Sequence, residues 1–169
     1  MQKISVCLIS FLLIFQSSLF AYSSNPKSFI DELVKDAIIK LSDKNLTKEQ
    51  KASFVEKLAI ENVDINALGL YTLGELRKSS SQDEISKYQK SFTQYFLKSL
   101  TSRLTDYSAS EFEILGEEKK SANYTIINSK ISPNDGGPEI KIDWRVYTKN
   151  PVKPLIRDLI VEGLSLART

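Results

Sequence analysis

Apolar positions recur at three-and-four spacing through the first half of the chain, then switch to alternation after Ser110. Behind Asn25-Pro26, the residues Phe29, Ile30, Leu33, Val34, Ala37, Ile38 and Leu41 form one stripe, which predicts an amphipathic helix. Thr47 with Gln50 is a capping-box signal for a second helix through Leu58. Asp64 predicts the start of a short helix carrying Leu68, Tyr71 and Leu73, which Gly74 terminates. Ser81 with Glu84 caps the longest helix. Ile85, Tyr88, Phe92, Tyr95, Phe96, Leu100 and Leu104 run along its expected buried side, an aromatic-rich stripe whose default role is packing on the sheet.

In the alternating half, Phe112 to Leu115 predicts a first strand and Tyr124 to Ile131 a second. The Pro133 to Pro138 turn joins the second to a third, Glu139 to Tyr147. On that strand Ile140, Ile142, Trp144 and Val146 share one face; Lys141, Asp143, Arg145 and Tyr147 share the other. The last strand, around Asp158, is apolar on both parities (Ile156 and Ile160; Leu159 and Val161), so both of its faces need covering. Glu162-Gly163 closes it with a turn. Helices first and strands after predict an α+β fold, with N-terminal helices packed on a curved antiparallel sheet of about four strands.

The N-terminus reads as an export leader. Lys3 precedes an apolar or small run from Ile4 to Phe15, and Ser17 to Ala21 offer a small-residue cleavage zone. Cutting after Ala21 and cutting after Ser23 both fit, so residues 1–23 are assigned to the leader and 24–169 to a single domain. A permanent anchor is the rival reading, but the run is shorter than the ~20 residues a spanning helix needs.

Cys7 lies in the leader and the chain has no histidine, so the exported part lacks thiol nucleophiles, disulfides and His-based triads. No metal site is expected, and acid–base work near neutral pH falls to a perturbed carboxylate, Lys or Tyr. The formal net charge is +2, falling by one if Lys3 leaves, so no field for nucleic acid results. Asp158 and Glu162 point the same way but lie ~13 Å apart along a strand, too far to share a proton. They and the neighbours Asp143 and Arg145 read as solvated or salt-bridged groups. Gly136-Gly137 sits in a hairpin turn and is no phosphate loop, and Lys119-Lys120 and Lys149 to Lys153 read as basic loop clusters.

Several segments together resemble the MlaC family, the periplasmic phospholipid-binding proteins also called toluene-tolerance auxiliary proteins. They are Asn25-Pro26, Val63-Asp64, Leu73-Gly74 with Arg77-Lys78, Phe92 with Tyr95, Ile142-Asp143-Trp144-Arg145, and Asp158 with Val161-Glu162-Gly163-Leu164-Ser165. The resemblance implies an NTF2-like cone and a soluble periplasmic carrier rather than an enzyme, with phospholipid as cargo and no cofactor. Its implied partners are an inner-membrane ABC transporter and an outer-membrane lipoprotein–porin complex, in the upkeep of outer-membrane lipid asymmetry. The expected lipid wall is Leu73, Phe92, Phe96, Leu100, Ile126, Ile142, Trp144, Val146 and Val161. Two other readings stand beside it: an enzyme on a similar cone with a carboxylate base and Tyr donor, and a pocketless interaction module with an exposed apolar patch.

Overall fold

The computed structural model describes residues 22–105, 109–148, 153–165 and 167. Residues 1–21 of the expected leader lie outside them, as do residues 149–152 of the loop before the last strand. Among the described residues, α1 (Pro26–Ser42), α2 (Lys48–Asn62), α3 (Ile65–Thr72) and α4 (Gln82–Leu104) come first, with a 3-10 helix at Gly74–Lys78. β1 (Ala109–Ser121), β2 (Tyr124–Pro133), β3 (Ile140–Tyr147), β4 (Leu155–Val161) and β5 (Leu164–Ser165) follow. They form one antiparallel sheet in the order β1-β2-β3-β4-β5.

Each of the four α-helices starts where the sequence predicts. Asn25 Oδ1 accepts from Ser28 N at 3.1 Å, Asp64 Oδ1 accepts from Ala67 N at 3.1 Å, and Thr47/Gln50 and Ser81/Glu84 form reciprocal capping boxes. These side chains satisfy amide protons that the first helical turn leaves without partners.

The core lies between α1 and one sheet face. Ile127 pairs with Trp144, Ser129 with Ile142 and Thr125 with Val146, so alternation places all six on the same side. There they meet Phe29, Ile30, Leu33 and Val34 of α1 and Ile156 of β4. Trp144 Nε1 donates to Ser129 Oγ at 2.8 Å, and Ser129 Oγ donates to the Ile142 carbonyl at 2.9 Å. A serine inside an apolar layer is thereby satisfied.

Some expectations change. The face bearing Trp144 is covered by α1; the longest helix, α4, packs on α2 and α3 instead. β1 extends well beyond Phe112 to Leu115, so Lys119-Lys120 are strand residues and not a loop. The sheet has five strands where about four were expected, because two residues after the Glu162-Gly163 turn pair back onto β4. A register slip between β3 and β4 pairs Val146 with Ile156 but Arg145 with Asp158, leaving Arg157 as an extra residue. Ile156 consequently joins Leu159 and Val161 on the core side, while Leu155, Asp158 and Ile160 face the other way. Part of the apparent two-sided apolarity of β4 is this bulge.

Glu162 and Gly163 take φ of 50° and 81°, the doubly left-handed backbone of a two-residue hairpin turn. Gly163→Ala is expected to cost about 1 kcal/mol in urea unfolding, from φ strain alone, since nothing lies near the missing Cβ.

The junction of α2 and α3 is stitched to the start of β4. Val63 bridges Ile156, and Asp64 N donates to the Ile156 carbonyl at 2.9 Å. Arg157 Nε donates to Asp64 Oδ2 at 3.0 Å while its guanidinium lies 3.4 Å from the centre of the Tyr147 ring. The helical layer is thus pinned to the sheet at that edge.

Candidate functional site

α4 is the longest helix, at 23 residues, and carries an apolar stripe, yet none of its residues is buried. α1, with 17 residues, buries five. An amphipathic helix ordinarily hides its stripe against a core. Here Ile85, Tyr88, Phe92, Phe96, Leu100 and Leu104 are all half-buried, so apolar surface borders accessible space. Tyr88, Phe92 and Phe96 stack along the helix, their ring centres 6.0 Å apart at each step and their planes 26° and 15° apart. Tyr95, expected on the buried side, is 73% exposed and points away from it.

α3 holds this ladder from one side. Thr72 Oγ1 donates to the Gly69 carbonyl at 2.9 Å, and with that proton committed the Tyr88 hydroxyl donates to Thr72 Oγ1, also at 2.9 Å. Gly69 is buried against the Phe92 ring.

The sheet face opposite α1 is half-buried as well. It carries Tyr124, Ile126, Asn128, Asp143, Arg145, Tyr147, Leu155 and Ile160. Burial pushes the Tyr124 phenol above its ordinary value; Arg145 opposes the shift, and Asp158 and then Tyr71 reinforce it. Asn128 Nδ2 donates to Asp143 Oδ1 at 2.8 Å.

Asp158 is the buried carboxylate of the sheet, 3% exposed. It accepts from Arg145 Nη1 at 3.0 Å, Ser165 Oγ at 2.6 Å, Ala167 N at 3.1 Å and its neighbour Leu159 N at 2.8 Å. Both oxygens are committed, so the group is a structural hub.

The residues expected to line a lipid wall fall into three places. Leu73, Phe92, Phe96 and Leu100 are half-buried on the helical side. Ile142, Trp144, Val146 and Val161 lie on the α1 side of the sheet, where Trp144 and Val146 are buried within the core. Ile126 lies on the opposite face, beside Arg145 in the register, so the structure does not bring it together with Trp144. Tyr88 was legible as part of the helix stripe, but its bond to Thr72 of α3 joins two helices that no local pattern connects. Between α2 and α4 lies an open cleft of about 270 Å³, lined by Glu56, Gln94, Leu97, Lys98 and Thr101.

The family model described as MlaC protein matches residues 31–169. The chain belongs to the MlaC family. No curated protein matches it. Its fold is similar to that of a phospholipid-binding protein from Ralstonia solanacearum, solved in complex with a phospholipid. The two superpose with a TM-score of 0.66 over 83% of this chain and 80% of that one, at 16% identity. The MlaC-like segments at the end of the chain now have a physical content. Arg145, Asp158 and Ser165 are one hydrogen-bonded unit, and Glu162-Gly163 makes the turn that brings Ser165 back to Asp158.

Proposed function

We propose that this MlaC-family protein carries phospholipid, sheltering the acyl chains against the half-buried stripe of α4. The observation that carries the reading is that stripe: the longest helix places an aromatic ladder beside accessible space and buries none of its residues. Each methylene removed from water is worth about 0.8 kcal/mol, so ~10 of them supply ~8 kcal/mol, the equivalent of micromolar binding. Such a site needs no metal, cofactor or histidine, and the head group stays in water. Leu73, Phe92, Phe96 and Leu100 are its helical wall, joined by Tyr88.

On this reading the protein shuttles lipid across the periplasm between an outer-membrane lipoprotein–porin complex and an inner-membrane ABC transporter. Purified protein mixed with vesicles of labelled phosphatidylglycerol is expected to draw label into the soluble fraction. Label that stays wholly with the vesicles contradicts the reading. The carboxylate-base reading needs a buried carboxylate with a free oxygen, and the oxygens of Asp158 are held by four donors.

Export implies a mature N-terminus, and what supports a cut after Ala21 is Tyr22. Its ring meets Phe29 edge-on at 6.2 Å and packs on the core, and its hydroxyl donates to Asp36 Oδ2 at 2.7 Å. Burial and the Asp36 bond together raise the phenol's pKa, keeping it protonated as a donor. A cut after Ser23 removes these contacts and the bond from Ser23 N to Glu32 at 2.8 Å. N-terminal sequencing of protein recovered from the periplasm is expected to begin at Tyr22; a chain starting at Ser24 contradicts the assignment.

A further inference from the structure

Gly69 lies inside α3 with no positive φ, so no turn geometry calls for glycine there. A mid-helix glycine costs helix stability relative to alanine, so the residue has another use. A Cβ built on Gly69 meets Phe92 Cδ1 at 2.9 Å and Cγ at 3.3 Å, closer than carbon atoms pack. The missing methyl is what lets the Phe92 ring lie back against α3. Three positions on, Thr72 receives the Tyr88 hydroxyl at 2.9 Å, so α3 sets two successive members of the aromatic ladder.

We infer that Gly69 is a specificity-determining position: by drawing the Phe92 ring toward α3 it sets the room left for acyl chains beside α4. The inference rests on the carrier reading and deepens it. A side chain at position 69 forces the ring off α3, and Tyr88 and Phe96, stacked above and below it, oppose a shift along the helix. Shrinking the Phe92 side chain does the opposite and enlarges the same space. Thr72 and Tyr88 keep the neighbouring ring in place in both cases, so the change is local to Phe92.

The test offers purified protein an equimolar vesicle mixture of dimyristoyl, dipalmitoyl and distearoyl phosphatidylglycerol and reads the bound species by native mass spectrometry. Gly69→Ala is expected to shift the bound population toward the shorter chains, and Phe92→Leu toward the longer. The Gly69→Ala/Phe92→Leu double variant is expected to return toward the wild-type distribution, a rescue that general loss of fold does not produce. Should Gly69→Ala fail to fold, Phe92→Leu alone still reads the same dimension with the opposite sign. Wild type that carries phospholipid alongside single variants with an unchanged distribution overturns the role of Gly69 and leaves the carrier reading standing. Wild type that takes up none of the three lipids overturns the carrier reading, and this inference with it.

Discussion

Asp158→Ala is expected to destabilise the protein by about 3 kcal/mol, lowering its melting temperature by roughly 10 °C. Four donors converge on this one carboxylate; without it the Ser165 hydroxyl loses its acceptor and the Ala167 amide keeps only Ser165 Oγ at 3.2 Å. The heavier loss is at Arg145. Its side chain is 24% exposed, and its Nε is already buried without a hydrogen-bond partner. Without Asp158 a partly buried guanidinium is left without its counter-charge. The double variant Arg145→Met/Asp158→Ala removes that charge as well and is expected to regain part of the loss. A thermal-melt cycle over the two single variants and the double measures the coupling. If Asp158→Ala melts within about 2 °C of wild type, the hub does not hold the end of the sheet as described.

Phe96→Asp is expected to weaken phospholipid uptake by ~100-fold or more, equivalent to about 2.7 kcal/mol. It places a carboxylate among rings proposed to lie against acyl chains, where the charge has no partner and hydrocarbon excludes water. Phe96 is half-buried, so the substitution leaves the α1–sheet core untouched. Tyr95→Asp is the matched control: one residue away on the same helix, 73% exposed, and expected to leave uptake unchanged. The two variants are compared in the same vesicle-extraction assay. Equal uptake by both places the acyl chains somewhere other than the α4 stripe.

Local chemistry made much of the fold legible in the chain. Asn25, Thr47, Asp64 and Ser81 each mark a helix start because a side-chain oxygen there meets an amide the helix cannot satisfy. Glu162-Gly163 marks a turn because that backbone needs positive φ. The Asp158 segment carried the family resemblance, and its residues prove to be a hydrogen-bonded unit. Periodicity, however, reports which positions share a face and says nothing of what covers it. α1 and α4 both show apolar stripes, and only tertiary packing puts α1 on the Trp144 face and leaves α4 half-open. The same gap concerns Trp144 and Val146 of the expected lipid wall, which the structure buries against α1. Bulges are equally silent: the extra residue Arg157 moves Ile156 to the side of Leu159, and no residue type announces it. The packing of Gly69 on Phe92 joins positions on two helices that no local pattern connects.

The central claim is that the space beside α4 holds phospholipid. Native mass spectrometry of the wild-type protein, purified from a Gram-negative periplasm without detergent, tests it most directly. A species heavier than the polypeptide by the mass of a phospholipid, released as intact phospholipid on activation, is expected. Bare polypeptide alone, unchanged after incubation with phospholipid vesicles, contradicts it.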